Sequence, residues 1–262
     1  HLAILDNFCW CSSNDPVRLG QLVDSVKACY DYAVGYETPF ISGKDSMFND
    51  FKGYDEKGNP ITISVPPTLL ISSIGVMPDL YKAVSPEFKK AGDLIYLLGE
   101  TNDELGASEY FKMLSAISSN VPKVNLEKNI EIYRAVEKVI EKELLASAIS
   151  VTSGGLGIAL AKACVGGMLG CDISLDQIKG SKASVLFTEI KLFSESQGRI
   201  LMSVSPKNVK QFKKIMKNIS CVKLGKTNKS NLVIIKDNNS IVVKTNVKTL
   251  YTAYHSFSNK MK

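Results

Sequence analysis

The sequence of 262 residues is long enough for one large domain or two ordinary ones. Hydrophobic residues make up 45% and charged residues 22%, which predicts a sizeable core and excludes a largely disordered chain. The net charge is +6, but the surplus lysines lie late, around residues 207–229, where apolar residues recur at helical spacing. A solvated helix face is the expected role of these lysines, so nucleic acid is not an expected partner.

Cysteine and histidine usage argues against several kinds of site. The 6 cysteines are scattered without a Cys-x-x-Cys pair, and the 2 histidines, His1 and His255, lie at opposite ends. This pattern does not support a zinc site or a Cys–His nucleophile, and it predicts reduced thiols in the cytoplasm. No apolar run reaches the length of a membrane span, so no membrane partner is expected. The chain starts at His1 without a methionine, and we expect it to be a piece of a longer protein.

The first region has the order strand, helix, strand. Leu2–Leu5 is a predicted strand that leads to Asp6. Asn14-Asp15-Pro16 is typical of a helix start, and the following apolar spacing predicts about 20 residues of amphipathic helix. Pro39–Ile41 is the next predicted strand, and it ends in a turn at Gly43. If the two strands are parallel, Asp6 and Gly43 lie on the same edge of a sheet, where ligands usually bind.

The segment Ile41–Asp50 is the strongest local candidate for a binding site. Gly43 permits close approach of the backbone to a ligand, and Lys44 and Ser46 suit a phosphate oxygen. The oxygen ligands that magnesium prefers come from Asp45, Asn49 and Asp50. The segment therefore predicts a phosphate–metal corner, with a polar hairpin turn as the alternative. A Walker A motif is excluded, because Thr38 stands where that motif needs glycine.

A polar loop and two strands complete this region. Residues 51–60 form a predicted polar loop with hairpin-turn chemistry, and Ile61–Val65 and Thr68–Val76 are predicted strands. An exposed crossing follows, and we place the domain boundary after residue 88. The expected domains are therefore 1–88 and 89–262.

The second region mixes strands and helices. The predicted strands are Gly92–Gly99, Asp172–Leu175, Ile200–Val204, Cys221–Gly225 and Leu232–Ile235. The predicted helices are Ser108–Ser118, Asn125–Lys142, Ile158–Val165 and Pro206–Asn218, with a terminal helix or strap over Thr245–Lys262. With several antiparallel hairpins among these elements, the expected fold class is α+β or mixed α/β.

A second glycine corner, Thr152–Gly157, precedes one of these helices. Glycine turns that lead into a helix N-terminus favour anion binding, so Gly154 and Gly155 are candidates for phosphate contacts. The corner is not a dinucleotide fingerprint, because Leu160 occupies the place of the third glycine. Close packing of the helix against a strand explains the same glycines and stays open as an alternative.

Six segments in order resemble one family, the synthetase component of phosphoribosylformylglycinamidine synthase, in its C-terminal part. In the first region the segments are Asp6–Trp10, Ile41–Met47 with Asn49-Asp50, and Pro67–Leu69. In the second region they are Gly99–Glu109, Gly154–Leu160 and Leu192–Ser196. Together they extend over residues 1 to about 228, so the resemblance covers nearly the whole chain.

The resemblance implies a fold and a reaction. The implied fold begins with an N-type half-domain of the aminoimidazole-ribonucleotide-synthase type, which lacks its opening strands. The smaller C-type α+β domain would follow it. The family's reaction uses ATP and magnesium to phosphorylate the formamide oxygen of formylglycinamide ribonucleotide, and ammonia then displaces the phosphate. By motif, Asp6, Gly43 and Lys44 would contact ATP, Ser46 would contact the nucleotide substrate, and Asp45 is the nearest candidate metal ligand.

Two departures from the family pattern affect the expected activity. Ser150 and Ser153 stand at the glycine corner where the family has metal-binding aspartates, and the family's catalytic histidine lies in an earlier half. We therefore expect the isolated chain to be inactive. Its expected partners are the N-terminal half of the same synthetase, a glutaminase component that supplies ammonia, and the small nucleotide substrate. We also expect the chain to self-associate through an exposed apolar sheet face.

Two other functions remain open. The chain could be a non-catalytic, nucleotide-binding half that completes a pseudo-dimer. It could also belong to a sister enzyme of the same fold, such as aminoimidazole ribonucleotide synthase, selenophosphate synthetase or a thiamine-phosphate kinase. Those sister enzymes match Leu192–Ser196 and Gly99–Glu109 less well.

Overall fold

The computed structural model describes residues 2–180 and 186–260, with the backbone alone for residues 257–260. It divides into two compact units, His1–Leu80 and Tyr81–Lys262. The predicted domain boundary, between residues 88 and 89, lies slightly later in the chain than this division and stays a prediction. Among the residues described, no helix has the length and apolar character that crossing a membrane requires.

The first unit is built on a small mixed sheet. In chain order it contains β1 (Leu2–Cys9), α1 (Pro16–Gly35), β2 (Phe40–Ser46), β3 (Phe51–Tyr54), β4 (Pro60–Ile63) and β5 (Thr68–Gly75). Strand β1 lies in the middle, parallel to β2 and antiparallel to β5. The parallel pairing confirms the predicted arrangement, because Asp6 and Gly43 are direct partners across it.

Helix α1 begins as predicted. The Asp15 carboxylate accepts hydrogen bonds from the backbone N–H groups of Val17, at 2.8 Å, and Arg18, at 3.3 Å, and Pro16 occupies the first turn. These contacts satisfy N–H groups that have no partner within the helix. Farther along, Leu22 and Cys29 pack against the small core of Phe8, Trp10 and Cys11.

The predicted turn at Gly43 is wrong, because strand β2 continues to Ser46. Strand β1 likewise extends beyond the predicted Leu5 to Cys9, and the two strands stay paired from Asp6–Gly43 through Cys9–Ser46. Glycine, aspartate and serine favour turns locally, but here the ladder of interstrand hydrogen bonds overrides that preference. Gly43 therefore lies within the sheet, three residues before the strand ends.

The predicted polar loop over residues 51–60 contains a strand that sequence analysis missed. Strands β3 and β4 pair as a separate hairpin, and the expected turn lies between them. The Asp55 carboxylate accepts hydrogen bonds from the N–H groups of Lys57, at 2.9 Å, and Asn59, at 2.8 Å. These contacts confirm the predicted hairpin-turn chemistry.

The second unit carries a larger sheet. In chain order it contains β6 (Leu94–Leu98), α2 (Glu109–Met113), α3 (Leu126–Glu141), β7 (Ser147–Ser150), α4 (Gly155–Gly167), β8 (Gly170–Ser174), α5 (Thr188–Phe193), β9 (Ile200–Val204), α6 (Val209–Ile215), β10 (Cys221–Asn228), β11 (Leu232–Asp237), β12 (Ser240–Asn246) and α7 (Val247–Lys260). In the described part of the chain, seven strands form one sheet in the order β12-β11-β8-β10-β6-β9-β7. Strand β8 is parallel to β11, and the other neighbours are antiparallel.

Helices cover both faces of this sheet. Alternate residues of β6 point to opposite cores: Ile95 packs with Leu156 of α4, whereas Tyr96 packs with Ile132 of α3 and Phe212 of α6. This alternation is what a strand buried on both faces requires. The two layers of helices on a mixed sheet confirm the predicted fold class.

Several boundaries in the second unit differ from the predictions. Helix α2 is shorter than Ser108–Ser118, because Leu114 caps it and Ser115 takes a φ of +53° that an α-helix does not allow. A 3₁₀ turn, Pro206–Asn208, replaces the start of the predicted helix before α6. Strands β7 and β12 and helix α5 were not predicted, whereas the terminal helix was.

Candidate functional site

Asp6 and Gly43 lie side by side in the first unit. They are direct partners across the parallel β1–β2 pair. A Cβ atom placed on Gly43 would lie 2.2 Å from Oδ1 of Asp6, which is closer than two such atoms can approach. Glycine at this position therefore leaves room for the Asp6 carboxylate beside the strand.

The Asp6 carboxylate opens into a cleft between α1 and the sheet. The cleft has a volume of about 390 Å³ and is lined by Asp6, Phe8, Leu22, Val26, Cys29, Phe40, Asp45 and Met47. Its wall is mostly apolar, and Asp6 and Asp45 supply two carboxylates. Burial, and secondarily the charge of Asp6, raises the pKa of the Cys29 thiol, so this cysteine stays protonated at neutral pH. The cleft therefore combines an apolar surface with the carboxylate oxygens of two aspartates, which can ligate a cation or accept hydrogen bonds.

Lys44 and Ser46 lie on the opposite face of the sheet from Asp6. Lys44 pairs with Asn7 and Ser46 pairs with Cys9, one and three residues beyond the Asp6–Gly43 pair. Because side chains alternate between the faces of a strand, both point away from the cleft. The predicted phosphate–metal corner therefore does not present Lys44 and Ser46 to Asp6. Asp45 does lie on the Asp6 face of the sheet.

Two predicted metal ligands have structural partners. The Asp50 carboxylate accepts hydrogen bonds from the N–H groups of Ser12, at 3.0 Å, and Val65, at 3.2 Å, and so ties together two loops. The Asn49 side-chain amide donates to the Ser46 carbonyl at 3.0 Å. Within the described residues there is no group of three or more His, Cys, Asp or Glu arranged to hold a metal ion.

The second glycine corner is occupied by a side chain of the protein. The Gly154 N–H donates to Oε1 of Glu195 at 2.8 Å, and the Gly155 N–H donates to the Thr152 carbonyl at 2.9 Å. The same Glu195 oxygen accepts from the Glu109 N–H at 2.9 Å. The group at this corner is a carboxylate of the chain itself, held where the glycine turn before α4 suggested a phosphate.

Gly155 also allows the backbone to pack closely. Its φ is +66°, and a Cβ atom there would lie 2.6 Å from the Leu192 carbonyl oxygen and 2.7 Å from that of Ser194. A larger residue would be strained and would push these segments apart. The contacts favour the packing explanation for this glycine, and the predicted phosphate contacts of Gly154 and Gly155 stay a prediction.

A buried arginine fixes the loop that carries Glu195. Arg199 is 1% exposed, and its guanidinium donates to the Thr101 hydroxyl at 3.1 Å and to the carbonyls of Ser194 and Ser196. Burial lowers the pKa of Arg199 to about 10, against the opposing influence of Glu104 and Glu195. The side chain therefore remains charged at neutral pH and acts as a structural centre.

Sequence reasoning missed this network, although it identified the segments that form it. Glu195 joins the Gly154 corner to the start of α2, and Arg199 joins the same loop to Thr101. Of the Glu104 carboxylate, Oε1 accepts from the Lys123 N–H at 3.1 Å, and Oε2 is buried without a hydrogen-bond partner in the described part of the chain. The sequence feature that could have indicated this network is the cluster of polar residues just before a buried strand.

Comparisons with known proteins identify the family of this chain. The model of the family "AIR synthase related protein, C-terminal domain" matches residues 90–238, more than half of the chain. PurL, a phosphoribosylformylglycinamidine synthase subunit of Methanocaldococcus jannaschii, is 33% identical over 99% of this chain and 34% of its own length. The chain therefore spans about a third of the curated relatives that it matches.

Solved structures of Thermotoga maritima PurL have the same fold. The complex with FGAR matches with a TM-score of 0.70 and 17% identity, over 95% of this chain and 39% of that one. The complex with ATP matches with a TM-score of 0.68 and 16% identity, over 95% and 37%. These findings confirm the resemblance that the motifs indicated, and the chain belongs to the family of AIR synthase-related proteins.

Proposed function

We propose that this chain is the C-terminal part of the ATP-dependent ligase that converts formylglycinamide ribonucleotide to formylglycinamidine ribonucleotide, with ammonia derived from glutamine. The observation that carries the proposal is the 33% identity to a PurL subunit over 99% of the chain. The six motif segments in family order support it, and they favour this enzyme over sister enzymes of the same fold.

The cleft of the first unit is the proposed ATP side of the sheet. Asp6 and Gly43 would contact ATP, since the glycine leaves the carboxylate accessible in a mostly apolar cleft of about 390 Å³. Asp45 lines the same cleft and is the proposed magnesium ligand. Two carboxylates would supply only part of the coordination shell of magnesium. Water and substrate phosphates would complete that shell.

The opposite face of the sheet is the proposed substrate side. Lys44 and Ser46 lie there together, two residues apart on β2, and Lys44 is exposed. An ammonium group and a hydroxyl can both donate hydrogen bonds to a phosphate. Lys44, which the resemblance assigns to ATP, would on this face bind a phosphate of the substrate directly, and Ser46 would contact the nucleotide substrate. One strand would then serve two ligands from its two faces.

This face also supports the proposed partners. Leu70 and Ile74 of β5 lie on it and are 57% and 58% exposed. Exposed apolar residues on a sheet commonly mark an interface. The proposed partner there is the N-terminal half of the same synthetase. A glutaminase component would supply ammonia to the assembled enzyme.

The second candidate is a nucleotide-binding half without catalytic function. The glycine corner favours it, because serines stand at positions 150 and 153 and Glu195 occupies the Gly154 N–H. An active phosphate site at this corner would need those groups to be available. Under this alternative the chain binds nucleotide at the first unit and stabilises its partner half.

The test is turnover by the full-length protein that contains this chain. With ATP, formylglycinamide ribonucleotide and ammonia, we expect product from the full-length protein and none from the isolated chain. Replacing Ser46→Ala should raise the KM for the ribonucleotide about tenfold, because a hydrogen bond to a charged phosphate is lost. Ser64→Ala, at an exposed position immediately after β4, is the matched control. If the full-length protein turns over and the KM is unchanged in Ser46→Ala, the proposed substrate contact of this residue is wrong.

A further inference from the structure

A basic groove lies between α3 and α6 in the second unit, away from the glycine corner. It has a volume of about 1060 Å³. Six basic side chains and a single carboxylate line it: Arg134, Lys138, Lys142, Lys207, Lys210 and Lys214, with Glu131. The net charge of +6 for the whole chain makes this local concentration of cations notable. Neither the reaction nor the sheet faces described above involve this groove.

The cations form two rows along the groove. Arg134, Lys138 and Lys142 follow one another at four-residue spacing on and just after α3. Lys207, Lys210 and Lys214 follow one another at spacings of three and four residues along the turn and helix that form the other wall. With a rise of about 1.5 Å per residue, successive cations in a row are about 4.5–6 Å apart along the helix.

The five lysines of these rows are not engaged in ion pairs with the described part of the chain. Within the described residues, none of Lys138, Lys142, Lys207, Lys210 and Lys214 belongs to an ion pair. Lysines elsewhere in the same unit do, such as Lys128 with Glu100 at 2.8 Å. Like charges at this spacing repel each other along a helix, so an anion from outside the chain would stabilise the arrangement.

The floor of the groove is apolar where the walls are charged. Ala135, Ile215 and Ile219 line it between the two rows. An occupant that matches both features carries apolar groups along one stripe and negative groups on either side of it. An amphipathic α-helix with acidic flanks has this form, since its side chains repeat every three to four residues, as the cations of the groove do.

We propose that this groove is a docking site for an acidic amphipathic helix of a partner protein. The apolar stripe of that helix would lie over Ala135, Ile215 and Ile219, and its carboxylates would pair with the two rows of lysines. The inference rests on the second unit alone and is independent of the proposed ligase function.

The lining argues for a protein partner over a nucleic acid. No aromatic side chain is among the groove's lining residues in the described part of the chain, so bases have no platform for stacking. Charge complementarity with an acidic helix therefore accounts for more of the groove than phosphate binding does.

The test uses a designed acidic peptide and the full chain. The peptide has about 20 residues, with one Leu/Ala stripe flanked by glutamates at four-residue spacing, and carries a fluorescent label. Binding is measured by anisotropy at about 50 mM salt, where charge contacts are only partly screened. The comparison ligands are a scrambled peptide of the same composition and an oligothymidylate of equal charge.

Two charge-reversal variants separate the groove from net charge. The groove variant combines Lys138→Glu, Lys210→Glu and Lys214→Glu. The control variant makes the same change in net charge at exposed positions outside the groove, through Lys162→Glu, Lys229→Glu and Lys248→Glu. We expect the groove variant to bind the designed peptide at least about tenfold more weakly, and the control variant to bind within about threefold of the wild type. Circular dichroism establishes that each variant is folded before binding is compared.

Each remaining outcome would overturn the proposal. Undetectable binding of the designed peptide would show that the groove does not take such a helix. Equal loss in both variants would show that net charge alone governs binding. Equal binding of the scrambled peptide would remove the role of the apolar stripe, and tighter binding of the oligothymidylate would make the groove a nucleic-acid surface.

Discussion

The two glycine sites of this chain use their polar groups in opposite ways. At Gly154 the backbone N–H donates to Glu195, and that carboxylate also holds the start of α2. At Gly43, by contrast, the side chains of Asp6, Asp45 and Lys44 make no hydrogen bond or ion pair within the described residues. A polar group with an internal partner stabilises the fold, whereas one without such a partner is available to a ligand. The comparison indicates that the polar groups at Gly154 stabilise the fold, whereas those at Gly43 are available to bind a ligand.

Gly155→Ala should produce the largest loss of stability. The substitution forces an alanine to a φ of +66° and places its Cβ 2.6 Å from the Leu192 carbonyl oxygen. Strain and overlap together should lower the free energy of unfolding by about 3 kcal/mol. Urea denaturation measures this change, with the exposed Ser153→Ala as control. If both variants were equally stable, the corner would not be packed as described.

Glu195→Ala should cost about 2 kcal/mol of unfolding free energy. It leaves the buried Gly154 N–H without its acceptor and removes a negative charge near Arg199. The same denaturation experiment applies, with the exposed Glu189→Ala as control. A loss below about 0.5 kcal/mol, within the range of ordinary surface changes, would contradict the internal role of this carboxylate.

Lys44→Ala should affect binding and spare stability. The exposed lysine has no hydrogen-bond or ion-pair partner in the part of the chain that the structure describes, so its removal should change the free energy of unfolding by less than about 0.5 kcal/mol. Loss of its proposed phosphate contact should weaken binding of the ribonucleotide substrate to the full-length protein about tenfold. Lys52→Ala on β3 is the control. Equal substrate affinity in wild type and Lys44→Ala would leave this lysine as a surface residue.

Leu70→Glu should have the smallest effect, on association of the isolated chain. Leu70 is 57% exposed on the uncovered face of the small sheet, where a charge would disfavour contact with a second apolar surface. Sedimentation at tens of micromolar should show self-association of the wild type and a shift toward monomer in the variant. Thr62→Glu on the separate hairpin is the control. A wild type that sediments as a monomer would contradict the exposed interface.

The same contrast explains what the sequence could predict. The cap of α1 at Asp15 and the turn at Asp55 depend on neighbouring residues, and both were correctly predicted. The course of β2 was not, because pairing with β1 overrides the turn preference of Gly43. This pairing also decides that Lys44 and Asp6 lie on opposite faces, which no local pattern reveals.

The internal network of the second unit was beyond local reasoning for a related reason. Glu195 meets Gly154 across 41 positions of the chain, and Arg199 meets Thr101 across 98. The glycine turn before α4 indicated phosphate contacts at the helix N-terminus, and in the structure the Gly154 N–H donates to the Glu195 carboxylate. The identity of this acceptor as a carboxylate of the same chain depends on tertiary packing, which the spacing of residues does not encode.

Calorimetric titration of ATP into the full-length protein tests the central contrast most directly. Three forms are compared: the wild type, Asp6→Ala in the cleft, and Glu195→Ala at the occupied glycine corner. We expect about tenfold weaker ATP binding in Asp6→Ala and a change of less than about threefold in folded Glu195→Ala. The reverse result, with ATP affinity lost in Glu195→Ala and kept in Asp6→Ala, would contradict this expectation.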